Sequence, residues 1–284
     1  WFITAGAAFT ICFFVAMVIH FGGSIAIIAL IGLAAFTLIR SQLMYKKKKE
    51  KEKGNETLKQ LMQATSSHEA LELMRKHTRE ELSKVLEYAE QNFELTVTSF
   101  LHENLRGLRR AMGSTKFEKQ LIKQMKRTGT VAMCKLDNHT VLEKGLYYYQ
   151  GNDFISEIIY SIGRICEPCL EHTDNNFNPL HNDQKEEFTH IASGITALLQ
   201  DCKKIIEEND YSRFDEFIRT ANSLINNLSQ LKRSELKRIQ GQKGSLKVSM
   251  VYLTMIQEAQ NVVAYAINLI KVSRKFQDIT NPVE

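Results

Sequence analysis

The chain has 284 residues, 44% of them hydrophobic and 24% charged, with a formal net charge of +5. Residues 40–53 hold seven basic residues against Glu50 and Glu52, which is the whole of that excess; residues 54–284 sum to zero, so the basic pI gives no support for nucleic-acid binding by the folded part. Five scattered cysteines, Cys12, Cys134, Cys166, Cys169 and Cys202, argue against a secreted disulfide scaffold and for a reducing compartment.

Residues 1–39 contain no Asp, Glu, Lys or Arg. As one helix they would extend about 58 Å, far beyond the ~30 Å hydrocarbon core of a bilayer. The reading is therefore a transmembrane helical hairpin, with spans near 1–21 and 24–39 turned at Gly22-Gly23. Both spans are rich in Ala and Gly, which let helices approach closely in lipid. The chain opens on Trp1 inside this apolar run, so upstream helices are expected to precede it.

Residues 40–55 form a basic juxtamembrane linker. Arg40, Lys46, Lys47, Lys48 and Lys49 would face the membrane surface and its anionic lipid, and they orient the following domain toward the cytosol. The expected location is the plasma (inner) membrane, multi-pass, with residues 56–284 cytosolic.

From residue 56 onward the hydrophobic period is helical. In 212–240, Phe214, Phe217, Ile218, Ala221, Leu224, Ile225, Leu228 and Leu231 make one stripe, with polar residues opposite. Similar stripes predict helices over 79–111, 115–149, 153–173, 184–208 and 246–276, with a shorter helix at 56–76. Breaks are expected at Gly113-Ser114, at Gly151-Asn152, in a 174–183 loop carrying Pro179, at Asn209-Asp210 and from Gly241 to Gly244. No strand pattern appears. The fold class is all-α: after the hairpin, two three-helix bundles in tandem, the apolar last helix central in its own.

Cys166-Glu167-Pro168-Cys169 has the spacing of a redox motif, but Ile155, Ile158, Ile159, Ile162, Ile165 and both cysteines share one apolar stripe. Core packing outweighs a redox or zinc role, for which only His172 and His181 stand near in sequence, and Pro168 is expected to kink the helix. Asp153, Glu157 and Arg164 share another helical face. A charged network with a Glu157–Arg164 contact outweighs a cation site there. Glu258 is the only charge between Lys247 and Lys271 and is expected to reach a Lys, Arg or Tyr across the bundle. No nucleophile–base arrangement and no phosphate-cradling glycine loop is found, so the chain is not expected to be an enzyme.

Two stretches, Gly151-Asn152-Asp153-Phe154-Ile155-Ser156-Glu157 continuing to Arg164, and Met255-Ile256-Gln257-Glu258-Ala259-Gln260-Asn261, resemble corresponding helices of the PhoU family of phosphate-uptake regulators. With the opening Trp1-Phe2-Ile3-Thr4-Ala5, the collar, Lys123-Gln124-Met125-Lys126-Arg127-Thr128-Gly129-Thr130, Glu143-Lys144-Gly145-Leu146-Tyr147-Tyr148-Tyr149 and Val272-Ser273-Arg274-Lys275-Phe276, the whole chain is similar to the carboxyl-terminal part of Pit-type phosphate permeases carrying a PhoU-like domain.

The resemblance implies a domain that modulates inorganic phosphate transport. Its partners would be upstream membrane helices of the same permease and phosphate itself, and a homo-oligomer is allowed. It also implies a divalent or iron cation on the bundle, with Asp153, Glu157 and Glu258 as metal candidates. The family's acidic residue followed four later by Asp is not kept: Ser161 follows Glu157, and Val262 follows Glu258. The alternative is a stand-alone two-span anchor presenting a helical scaffold to a soluble signalling partner.

Overall fold

The computed structural model describes residues 60–278 except 62 and 242–244, together with Phe9, Phe13, Ala16, Met17, His20, Phe21 and Gly22. The chain divides into two units, Trp1–Thr57 and Leu58–Glu284. In the first, the few described positions are helical and exposed. The expected hairpin, Gly23 of its turn and the collar otherwise lie outside the described residues. Among the described residues no helix is long and apolar enough to cross a membrane.

The second unit is built of six long helices: α1 (Ser67–Leu101), α2 (Leu105–Met133), α3 (Asn138–Asp174), α4 (Asn182–Glu208), α5 (Phe214–Gln240) and α6 (Leu246–Gln277). No strand occurs among the described residues. Of the breaks predicted in the second half, the 174–183 loop and Asn209-Asp210 stand where expected; of Gly241 to Gly244 only Gly241, at the end of α5, lies among the described residues. The loop after Asp174 passes Asn176 at φ 52°, and Asn209 ends α4 at φ 55°, a left-handed conformation that Asn tolerates.

The first half differs. Gly113-Ser114 lies inside α2 and Gly151-Asn152 inside α3; the breaks come instead at 102–104 and 134–137. A mid-helix glycine costs only about 1 kcal/mol, which packing overrides. The true starts are set by caps. Asn104 accepts from Gly107 N at 3.0 Å, and Asp137 accepts from Thr140 N at 3.0 Å. At the front, Ser66 accepts from Glu69 N at 3.2 Å, so α1 begins well before the predicted 79. Helix α3 also runs on through Pro168.

Helices α1–α3 form one bundle and α4–α6 the other. The bundles are not separate modules, for α3 packs extensively on α6 and α1 on α4. One continuous core runs from Leu82, Phe93 and Ile122 through Ile155, Ile159 and Ile162 to Phe188, Tyr252, Met255, Val263 and Ile270. A second cluster closes one end of the first bundle, where Leu61, Ala70 and Met74 meet Ala132, Met133, Leu136, Tyr148 and Phe276.

Candidate functional site

Along the α3–α6 seam, Arg164 from α3 donates through Nε to Glu258 Oε2 at 2.9 Å and through Nη2 to Ser161 Oγ at 2.9 Å; Nη2 also lies 3.6 Å from Glu157 Oε2. Asn261 Nδ2 donates to the same Glu258 oxygen at 3.1 Å. The charges of two carboxylates thus converge on one guanidinium that ties the two bundles together. The isolated Glu258 finds its cross-bundle arginine, and the helical spacing of Glu157 and Arg164 becomes a contact. Asp153 stands apart, exposed and 2.8 Å from Lys126 Nζ of α2.

The residues present do not fit a bound metal cluster as they are arranged. Arg164 holds the cation's place between Glu157 and Glu258. Ser161 is fully buried beside it, and Val262 is in the core. Among the described residues no group of three or more His, Cys, Asp or Glu comes together to hold a metal ion.

The CxxC residues lie in the core. Cys166 and Cys169 are fully buried, and Cys166 Sγ donates to Leu108 O at 3.6 Å. Burial pushes the Cys166 thiol up to about 11 and Cys169 well above its ordinary value, so neither is a thiolate at neutral pH. His172 is engaged elsewhere, its Nε2 lying 2.7 Å from Asn178 O.

Three features escape the linear reading. Glu118 of α2 is buried near Asn92 Nδ2 at 3.4 Å, and burial pushes its carboxyl up to about 7. Its signal was its place in the row Ala111, Thr115, Ile122, Met125, all buried at helical spacing. Glu235 of α5 is fully buried. It accepts from Gln184 Nε2 at 2.9 Å and Arg238 Nη1 at 3.1 Å, while Arg238 also bridges Asp183 at 3.1 Å and Glu187 at 2.7 Å. It too continues an apolar row, seven residues after Leu228. Third, the neutral sum over 54–284 hides a segregation of charge: α2 alone carries eight Lys and Arg against Glu118. The basic character is therefore not confined to the collar.

A groove of about 390 Å³ lies between α1 and α4, lined by Lys76, Arg79, Lys84 and Lys203 with Glu80, Glu87 and Glu207. Within it Lys203 pairs with Glu87 at 3.1 Å and Ser83 donates to Glu207 at 3.1 Å.

No family model and no curated protein matches the chain. Among solved structures, the crystal structure of PhoU from Pseudomonas aeruginosa superposes with a TM-score of 0.63 at 8% identity, covering 70% of this chain and 95% of that one. The six-helix unit therefore has a PhoU-like helical fold. At that identity the likeness is one of fold.

Proposed function

We propose that the chain is the carboxyl-terminal membrane and regulatory portion of an inorganic phosphate transporter, its helical domain setting transport activity from the cytosolic side. The supporting observation is a combination: a PhoU-like six-helix fold follows, on the same chain, a charge-free stretch of 39 residues and a basic collar. The α3–α6 seam suits a regulatory role. A change in the Arg164–Glu258 contact would alter how the bundles are joined without touching a substrate. Substrate chemistry would belong to upstream helices, since an anion pathway generally uses ionisable groups or broken helices around a midplane site, and residues 1–39 hold no Asp, Glu, Lys or Arg.

The test is phosphate uptake in vesicles carrying this chain, the full gene product, or that product lacking residues 56–284. The chain alone is expected to move no phosphate. The truncated product is expected to keep its substrate and lose normal rate or regulation. Saturable uptake by the chain alone, or a changed substrate in the truncation, would overturn the proposal. A gene encoding only two spans would point instead to a membrane-anchored scaffold.

A further inference from the structure

Exposed apolar side chains and unpaired cations meet on one face of the first bundle. On α3, Leu142 is 80% exposed, Leu146 57% and Tyr149 44%, at spacings of four and three; Val131, in the last turn of α2, is 39% exposed. Asp153 continues the same α3 row and reaches Lys126 of α2, so the row borders the outer face of α2. That face carries Arg106, Arg110, Lys116, Lys123 and Arg127, all exposed and without an ion-pair partner among the described residues. Of the acids at this end, Asp153 is paired with Lys126, Asp137 accepts from Ser67 and Thr140, and Glu143 lies 3.8 Å from His139.

We propose that this face, the basic side of α2 with Leu142, Leu146 and Tyr149, is a contact surface for an anionic lipid bilayer. Charge complementarity selects an anionic partner. The apolar row selects lipid over nucleic acid, since large aliphatic side chains beside long cationic ones suit the boundary between headgroups and acyl chains.

The test uses the full chain with Cys12→Ala and a fluorophore on Cys134, which is exposed in the α2–α3 turn while Cys166, Cys169 and Cys202 are buried. Vesicles of phosphatidylcholine, with or without phosphatidylglycerol, carry a nitroxide in the headgroup layer. Quenching at Cys134 is expected with phosphatidylglycerol and several-fold less without it. Lys123→Glu with Arg127→Glu should weaken it about tenfold or more, and Leu142→Asp with Leu146→Asp should abolish it. All four positions are exposed, and unchanged thermal unfolding would confirm the fold. Equal quenching in both vesicles, no quenching, indifference to both variant pairs, or protection of Cys134 by duplex DNA in place of vesicles would overturn the proposal. Extraction with alkaline carbonate reports separately on residues 1–39. Extractable chain with lipid-dependent quenching keeps this surface and sinks the anchor; resistant chain without quenching does the reverse.

Discussion

Each bundle buries a glutamate, and the two are accommodated in opposite ways. Glu118, in the first, has no cation within ion-pair distance among the described residues, and the Asn92 amide lies beside it; burial raises its carboxyl to about 7, so it can enter the core by keeping its proton. Glu235, in the second, is met by Arg238 and Gln184, and Arg238 is shared with Asp183 and Glu187. A buried charge must be neutralised or paired. The choice here follows from the neighbours: α1 offers Glu118 the Asn92 amide, while α4 and α5 offer Glu235 the Gln184 amide and the Arg238 guanidinium.

The sharpest way to break this contrast is to remove Arg238. Arg238→Ala leaves Glu235 buried without its cation and should lower unfolding free energy by about 3–5 kcal/mol at neutral pH. Adding Glu235→Gln should restore much of that loss. Urea denaturation of the two variants measures both; a single-variant loss no larger than that of a surface ion pair would mean that Glu235 is not held by Arg238.

Glu118 should respond to pH instead. Its folded carboxyl, at about 7, lies above the ordinary 4.5, so between those values the folded state holds a proton that the unfolded chain has released. Its contribution to stability is therefore greatest below about 4.5, falls as pH rises to about 7, and is level beyond. At 1.36 kcal/mol per pKa unit the loss approaches about 3 kcal/mol. Glu118→Gln should match the parent protein at pH 4 and exceed it by up to that amount at pH 8. Stability curves that stay parallel from pH 4 to 8 would show that Glu118 does not titrate in this range.

A smaller effect compares helix contacts in the two bundles. A Cβ at Gly129 of α2 would land on the hydroxyl of Tyr148, a buried ring whose OH donates to Met125 O at 3.2 Å. A Cβ at Gly194 of α4 would meet a terminal methyl of Leu224 at 2.8 Å. The rigid ring cannot yield as the leucine can. Gly129→Ala should destabilise by about 2 kcal/mol. Gly194→Ala should change stability by less than about 1 kcal/mol, its strain offset by helix propensity. Equal shifts in melting temperature would show that the approach at Gly129 is no tighter.

Much of the candidate seam is legible in the sequence. Glu258 stood alone on an apolar helix, and Glu157 and Arg164 lay seven apart on one face, so a charged network followed from spacing and the cost of burial. The shared partner was not legible, because it depends on antiparallel packing of α3 on α6, which brings residues 94 positions apart together. The buried glutamates were missed for a related reason. Each interrupts an apolar row, and a row with one acid in it reads as an ordinary edge of a stripe.

The sequence by itself determined what is local. Helical class follows from the hydrophobic period, the last three helices from their turn residues, and the basic collar from a count of charges. The tertiary structure decided which glycines are interruptions and which are points of close packing, since Gly151 and Gly129 sit inside helices that neighbouring helices hold straight through. It also decided that five of the cations of α2 stand exposed without ion-pair partners among the described residues, that Glu118 and Glu235 go under, and that α3 and α6 share one core. Caps and periods act within about four residues along the chain. Burial and charge pairing are settled by whatever arrives from across the bundle.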